Sequence, residues 1–406
     1  MGGSKMDIKT VVTGRKLTRR QKFWYWMMGL ALVLLPVLFQ GLGQYFLVRI
    51  MALIGLYVML ALGLNIVVGF AGLLDLGYIA FYAIGGYVGM LGATWIIQTF
   101  GEAWGPWTYY IMLPFAALAG AITGIALGTP VLRLRGDYLA IVTLGFGEIV
   151  RIALNNNIFG LTNGAAGLPE AGVIVPPPAG LPWLQEHITF SLPNLGPNGF
   201  YFEFSANLFW YFMIVLLCVL TVFVVRRLDD SRLGRSWVAM REDEVAASSM
   251  GINIRNAKLW AFSLGAVWGG IAGITFANFQ QFISPESFTF MESVFVLCIV
   301  VLGGMGSIPG VIVGAIVIQG VPELIRGLAA TGLLRLTAEQ ATLVSSYRYL
   351  VFGAMMVIMM AVRPQGFIPS KRRAMELAPS DDTILEEENQ TLYDAEHMTD
   401  VDNDLL

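Results

Sequence analysis

Ionisable and amide side chains inside long apolar runs are the natural places to look for chemistry. A charge at the centre of a bilayer costs about 2.5–3.5 kcal/mol on insertion scales, so each one present needs a reason. The chain has few. Glu148 and Arg151 stand three apart in TLGFGEIVRIALNNN (143–157), on one helix face, either as a structural ion pair or as part of the lining of a solute path. Asp75 falls in the turn of NIVVGFAGLLDLGY (65–78), suited to capping the next helix or bonding nearby backbone. A second cluster lies outside the apolar runs, where Arg241, Glu242, Asp243 and Glu244 precede small residues and Gly251. A helix lying on lipid would show a broad apolar face opposite Lys and Arg; mixed charges followed by alanine and serine suit a protein partner instead. Cys218, Cys298, His187 and His397 are too few and too scattered for a disulfide framework or a metal site. No G-x-x-x-x-G-K-[S/T] phosphate loop occurs, and no cofactor or nucleic-acid partner is expected.

The elements that position these groups must be membrane helices. Of 406 residues, 56% are hydrophobic and only 13% charged, with mean hydropathy +0.68. A soluble chain carries about 25% charged residues. The fold class expected is an all-α polytopic membrane protein with one bundle of about ten transmembrane helices. Runs near 24–46, 50–70, 78–98, 109–131, 138–158, 207–225, 259–278, 291–304, 308–325 and 347–362 have the necessary length and apolarity.

Charge then orients the bundle. Of the 25 lysines and arginines, 20 fall in 1–22, at Arg133 and Arg135, in 226–258 and in 363–373, so these segments and both termini are expected in the cytoplasm. The domain plan is a basic N-terminus (1–22), a transmembrane region (23–365) and an acidic tail (366–406). Residues 374–406 hold 11 of the 28 acids and no Lys or Arg, the composition of a solvated, disordered segment. Residues 159–206 contain no Lys or Arg and are rich in Pro and Gly, which marks an external loop, whereas 226–258 forms the longest cytoplasmic loop.

Backbone interruptions matter as much as charges. Glycine recurs every fourth residue at Gly120/Gly124/Gly128, Gly265/Gly269/Gly273 and Gly306/Gly310/Gly314, leaving bare strips for close helix packing within the bundle or at a subunit interface. LGGMGSIPG (302–310) breaks two short spans, and 65–78 breaks the second and third in a comparable way. Such breaks are used near substrate pathways and need protein or water around them. In the long loop, good helix formers from Ser236 to Met250 precede Gly251, indicating one short soluble helix.

That loop resembles the coupling segment of bacterial ABC importer permeases, whose E-A-A-x3-G motif docks on an ATPase subunit. The matching residues are Glu244, Ala246, Ala247 and Gly251; Val245 intervenes and the I-x-L-P ending is absent. With GLNIVVGFAGLLDLGYIAFYAIGGYVG (63–89), LRGDYLAIVTLGFGEIVR (134–151), AASSMGINIRNAKLWAFSLGA (246–266) and VLGGMGSIPGVIVGA (301–315), residues 48–365 resemble the LivM-type permeases of branched-chain amino acid importers. The resemblance implies a multi-pass protein of the bacterial inner membrane that is not itself an enzyme. Its implied partners are a LivH-type permease, two ABC ATPase subunits, a periplasmic amino-acid-binding protein and membrane lipid. ATPase coupling would fall to Arg241, Glu242, Asp243, Glu244, Ala246, Ala247 and Gly251, with Ala247 and Gly251 near one another at the partner-facing end. For a zwitterion with an apolar side chain, Asn65, Thr143, Glu148 and Asn278 are polar groups of suitable type. Relatives carrying urea or short amides are the alternative. An ion-coupled secondary transporter is disfavoured because only Glu148 sits well inside a span, with Arg151 beside it. A membrane enzyme lacks clustered carboxylates and span histidines.

Single cysteines at Ser191 and Ser236 test the orientation. An impermeant thiol reagent applied to intact cells should label Ser191→Cys and spare Ser236→Cys; labelling of both from outside overturns it.

Overall fold

In lipid no water is present to satisfy backbone N–H and C=O groups, so apolar runs of this length fold as helices. The computed structural model describes residues 19–131, 137–169, 190–192, 200–202, 205–323 and short pieces between 353 and 368. In chain order the helices are α1 (Arg19–Gly41), α2 (Tyr45–Asn65), α3 (Ile79–Phe100), α4 (Thr108–Val131), α5 (Asp137–Asn155), α6 (Ala206–Asp229), α7 (Arg232–Glu242), α8 (Glu244–Ser249), α9 (Ile254–Gln280), α10 (Phe290–Gly303) and α11 (Ile308–Ala315). Among the described residues seven helical segments are long and apolar enough to cross a membrane: Tyr45–Phe70, Ile79–Phe100, Glu102–Pro130, Tyr138–Asn155, Ala206–Asp229, Ile254–Gln280 and Pro285–Gly303. Gly29–Gly41 and Ile308–Glu323 are shorter apolar helices. These nine coincide with the first nine runs read from the sequence. The tenth, 347–362, and both chain ends lie largely outside the described residues, as does most of 159–206.

Side-chain caps set several boundaries by accepting otherwise unpaired N–H groups of a first turn. Ser205 accepts from Leu208 N, Ser231 from Gly234 N, Asn253 from Asn256 N and Ser307 from Gly310 N. Two short antiparallel strand pairs complete the described structure. Leu168–Pro169 pairs with Phe282–Ile283, and Phe190–Leu192 with Phe200–Phe202.

α9 is the central post, packed on α4, α3 and α2. The glycine strips explain the closeness. A Cβ on Gly120 would lie 2.3 Å from the Ala266 carbonyl oxygen, one on Gly270 2.3 Å from that of Ala116, and one on Gly273 2.0 Å from that of Tyr82. The third strip joins α11 to α10, with Gly310 and Gly314 against Gly303. All three strips therefore serve packing inside this chain, the first of the two readings left open by the sequence. The aromatic cluster Tyr82, Phe276 and Phe288 fills the space beside α9 with tilted and edge-to-face ring contacts.

The single helix expected over Ser236–Met250 is two. Asp243 is extended (φ −153°, ψ 115°) and its side chain accepts from Val245 N and Ala246 N, ending α7 and starting α8 anew. Gly251, at φ 85°, supplies the expected stop.

One methyl group tests the α4–α9 contact. Gly270→Ala should destabilise the detergent-solubilised protein by about 1–3 kcal/mol, because neighbouring backbone must move. Gly29→Ala, whose added carbon meets nothing within 4 Å, should leave the thermal midpoint unchanged or slightly raised.

Candidate functional site: the paired span breaks and the helices docked on them

The two interruptions seen in the sequence meet in space. α2 loosens into a π turn over Ile66–Phe70, and α10 and α11 are joined by a turn through Gly304 (φ 115°) and Gly306 (φ 76°). Asn65 is fully buried, and its Oδ1 accepts from the Gly306 N–H at 2.9 Å. Gly69 presses on the same turn, where a Cβ would fall 2.5 Å from Gly306 N.

Beyond the π turn, the non-helical backbone is satisfied from neighbouring helices. Leu73 N–H returns to the Val67 carbonyl at 3.0 Å. Leu76 N–H donates to Thr143 Oγ1 at 3.0 Å, and the Thr143 hydroxyl donates in turn to the Ala140 carbonyl at 3.0 Å. Gly77 N–H donates to Asp75 Oδ1 at 2.9 Å, Ile79 N–H to Ser293 Oγ at 3.2 Å, and Tyr78 OH to the Gly265 carbonyl at 3.0 Å. Asp75 thus bonds backbone, one of the two roles expected for it; α3 has no side-chain cap. At this break two polar atoms stay over: Asn65 Nδ2, a donor, and Asp75 Oδ2, an acceptor, are buried without a hydrogen-bond partner.

The short helices α7 and α8 are docked directly on this break. Arg241, at the end of α7, donates from Nη1 to the Gly69 carbonyl at 2.8 Å, and its aliphatic stem lies over Gly72. Trp237 is fully buried and donates from Nε1 to the Ala257 carbonyl at 2.8 Å. Glu244, in the first turn of α8, pairs with the buried Lys258 of α9 at 2.6 Å. The N–H groups of Ala246 and Val245 hold the exposed Asp243 carboxyl below its ordinary range.

The expected coupling set therefore divides. Glu242, Asp243, Ala246 and Gly251 lie at the surface, whereas Arg241 and Glu244 are engaged inside the chain. Ala247 is buried, so it does not share a partner-facing end with Gly251. The reason is that α8 ends at Ser249, so Gly251, at φ 85°, lies beyond the helix and not one turn along the face of Ala247. The outward positions missed from the sequence are Val245 and Met250, 65% and 84% exposed. Their signal was present, since both are apolar in an otherwise polar segment.

Of the residues expected on a solute path, Asn65 and Thr143 share the break. Asn278 does not join them; its Nδ2 donates to the Ile274 carbonyl of its own helix. Glu148 and Arg151 form the ion pair expected, with Arg151 Nε 3.0 Å from Glu148 Oε1, and a third member, Glu286, accepts from Arg151 Nη1 at 3.3 Å.

Residues 46–360 match the family model described as the permease component of the branched-chain amino acid transport system. The chain belongs to that permease family. It is 44% identical over 86% of its length to the high-affinity branched-chain amino acid transport system permease protein LivM of Escherichia coli K12, covering 76% of that relative. It is likewise 44% identical to LivM of Salmonella typhimurium, over 79% of this chain and 70% of the relative. The second permease type, LivH of Escherichia coli K12, is 25% identical over 77% of this chain and 91% of its own length. No solved structure matches. Membership identifies a multi-pass membrane permease, a transport subunit and not a catalytic one, and the break, α7 and α8 are features of that permease.

Breaking the Glu244–Lys258 pair from its two ends should differ in cost. Glu244→Ala strands a buried ammonium and should lose about 1–3 kcal/mol, at or below the low end for buried pairs because Glu244 is one-third exposed. Lys258→Met removes the buried charge itself and should lose less. Thermal unfolding of both variants and of the double variant, read as a cycle, checks the order.

Proposed function

We propose that this chain is the membrane-spanning permease subunit of an ATP-driven importer that carries leucine, isoleucine and valine across a bacterial inner membrane. In this reading it works with a LivH-type permease, two ABC ATPase subunits and a periplasmic binding protein, and both its termini are cytoplasmic. The likeness to the LivM proteins supports the substrate class. The observation that most directly supports the mechanism is the Arg241–Gly69 bond, because it ties a cytoplasmic helix to the interrupted part of a span.

ATPase closure would move α7 and α8, whose exposed Glu242, Val245, Ala246, Met250 and Gly251 form the contact. Arg241 passes that movement to the π turn of α2, and Glu244 passes it through Lys258 to α9. The break region then switches between two arrangements, so access alternates between faces. Asn65 Nδ2 and Asp75 Oδ2 supply a donor and an acceptor toward the carboxylate and ammonium of a passing zwitterion. Thr143 holds the segment that carries Asp75. Short apolar walls suit the aliphatic side chain.

The test is uptake in vesicles containing the whole assembly. Labelled leucine should accumulate only with ATP and the binding protein, and excess urea should not compete. Accumulation driven by an ion gradient without ATP would refute the reading. Val245→Asp and Met250→Asp, both at exposed positions, should leave expression and folding unchanged yet reduce ATPase copurification by at least about tenfold. Arg241→Ala should keep the ATPase bound and hydrolysing while uptake falls.

A further inference from the structure

The exposed sides of α4 and α6 are dominated by large apolar residues. On α4 these are Phe115, Leu118, Ile122 and Ile125; on α6 they are Leu216, Val219, Leu220 and Phe223. α5 differs. It is among the least covered of the spans, and Ile141, Ile149 and Ile152 are exposed along it. Between them sits Gly145, around which an added Cβ would meet nothing within 4 Å. The ion network also opens here, for the Glu148 side chain is 37% exposed, Arg151 23% and Glu286 67%.

Depth makes this arrangement informative. At 1.5 Å per residue, Glu148 lies about 16 Å along the helix axis from Asp137 and about 10 Å from Asn155, well inside the span. Ionised groups at that depth do not face hydrocarbon; they face protein or water. A lipid reading of this side of α5 therefore fails for the same residues that make it polar. The two carboxylates outnumber the single guanidinium, so water or hydrogen-bond donors of an opposite surface complete the network.

We propose that the face of α5 bearing Gly145, Glu148, Ile149 and Ile152 is the docking surface for the second permease subunit, a chain of the same fold, with Glu148, Arg151 and Glu286 at a water-accessible seam between the two. This rests on the two-permease assembly proposed above. Gly145 gives the partner's helix a close approach, Ile149 and Ile152 supply apolar contact, and the ion network forms the polar edge. The likeness of this chain to both permease types supports an occupant of related fold.

Photocrosslinking in the membrane tests the surface. The chain is coexpressed with the LivH-type permease of its own assembly, and a benzophenone amino acid is placed at Ile149, Leu118 or Leu216. Ile149 should give an adduct with that permease, and Leu118 and Leu216 should give none. A second variant, Gly145→Leu, fits the free chain because the space around Gly145 is open; it should insert and fold normally yet retain the second permease at least tenfold less well. Adducts only from Leu118 or Leu216, or normal copurification with Gly145→Leu, overturns the surface while leaving the assembly intact. An adduct between two copies of this chain at Ile149 overturns the occupant. Absence of any second permease from the wild-type complex refutes the assembly reading itself, a result distinct from the others.

Discussion

A polar backbone group at membrane depth must find a partner within the protein, and the architecture around α2 and α3 depends on that requirement. The chain leaves helical geometry between Phe70 and Ile79, freeing donors and acceptors in a stretch most of whose residues are buried. Asn65, Thr143, Asp75 and Ser293 take up the donors of Gly306, Leu76, Gly77 and Ile79. Three other parts of the sequence, at Thr143, Ser293 and Gly306, are thereby tied to one irregular stretch.

The rest of the bundle supplies the contrast. Glycines on α3, α4 and α9 bring helix backbones so close that a single added carbon would strike a carbonyl oxygen, and such packing resists sliding. The close packing of α3, α4 and α9 distinguishes that core from the elements docked on the break. α7 and α8 are those elements. Trp237 anchors α7 to the start of α9, while Arg241 reaches the π turn, so one short helix spans the boundary between the rigid and interrupted parts.

Much of this was legible from residues alone. Length and apolarity located the spans, because the bilayer imposes one length scale on all of them. Glycine spacing showed the close-packed faces, and the three-residue separation of Glu148 and Arg151 showed their pairing, since both are local properties of a helix. What the sequence concealed is non-local or depends on phase. Arg241 and Gly69 lie far apart in the chain, and nothing in either residue type names the other. Ala247 was assigned outward from its four-residue spacing to Gly251; α8 ends at Ser249, so that spacing does not put the two on one face, and Ala247 is buried while Val245 is exposed. Asp243 itself looked like one charge in a mixed run, whereas its cap bonds make it the boundary between two elements.

The two links from α7 and α8 to the spans differ in kind, and the difference bears on how the proposed coupling would work. Arg241 meets a neutral carbonyl in a π turn, a geometry with one residue more per turn than an α-helix and therefore able to tighten or migrate when pulled. Glu244 meets a buried ammonium near the start of α9, a helix with no described interruption over its 27 residues. Displacing Glu244 would expose or strand Lys258, so this contact resists separation and carries α8 and α9 together. The carbonyl contact is the compliant one. A common displacement of α7 and α8 would therefore translate as a rigid push along α9 and as a change of winding in α2. Relative motion between those two helices falls on Asn65, where the π turn begins and the α10–α11 turn is held.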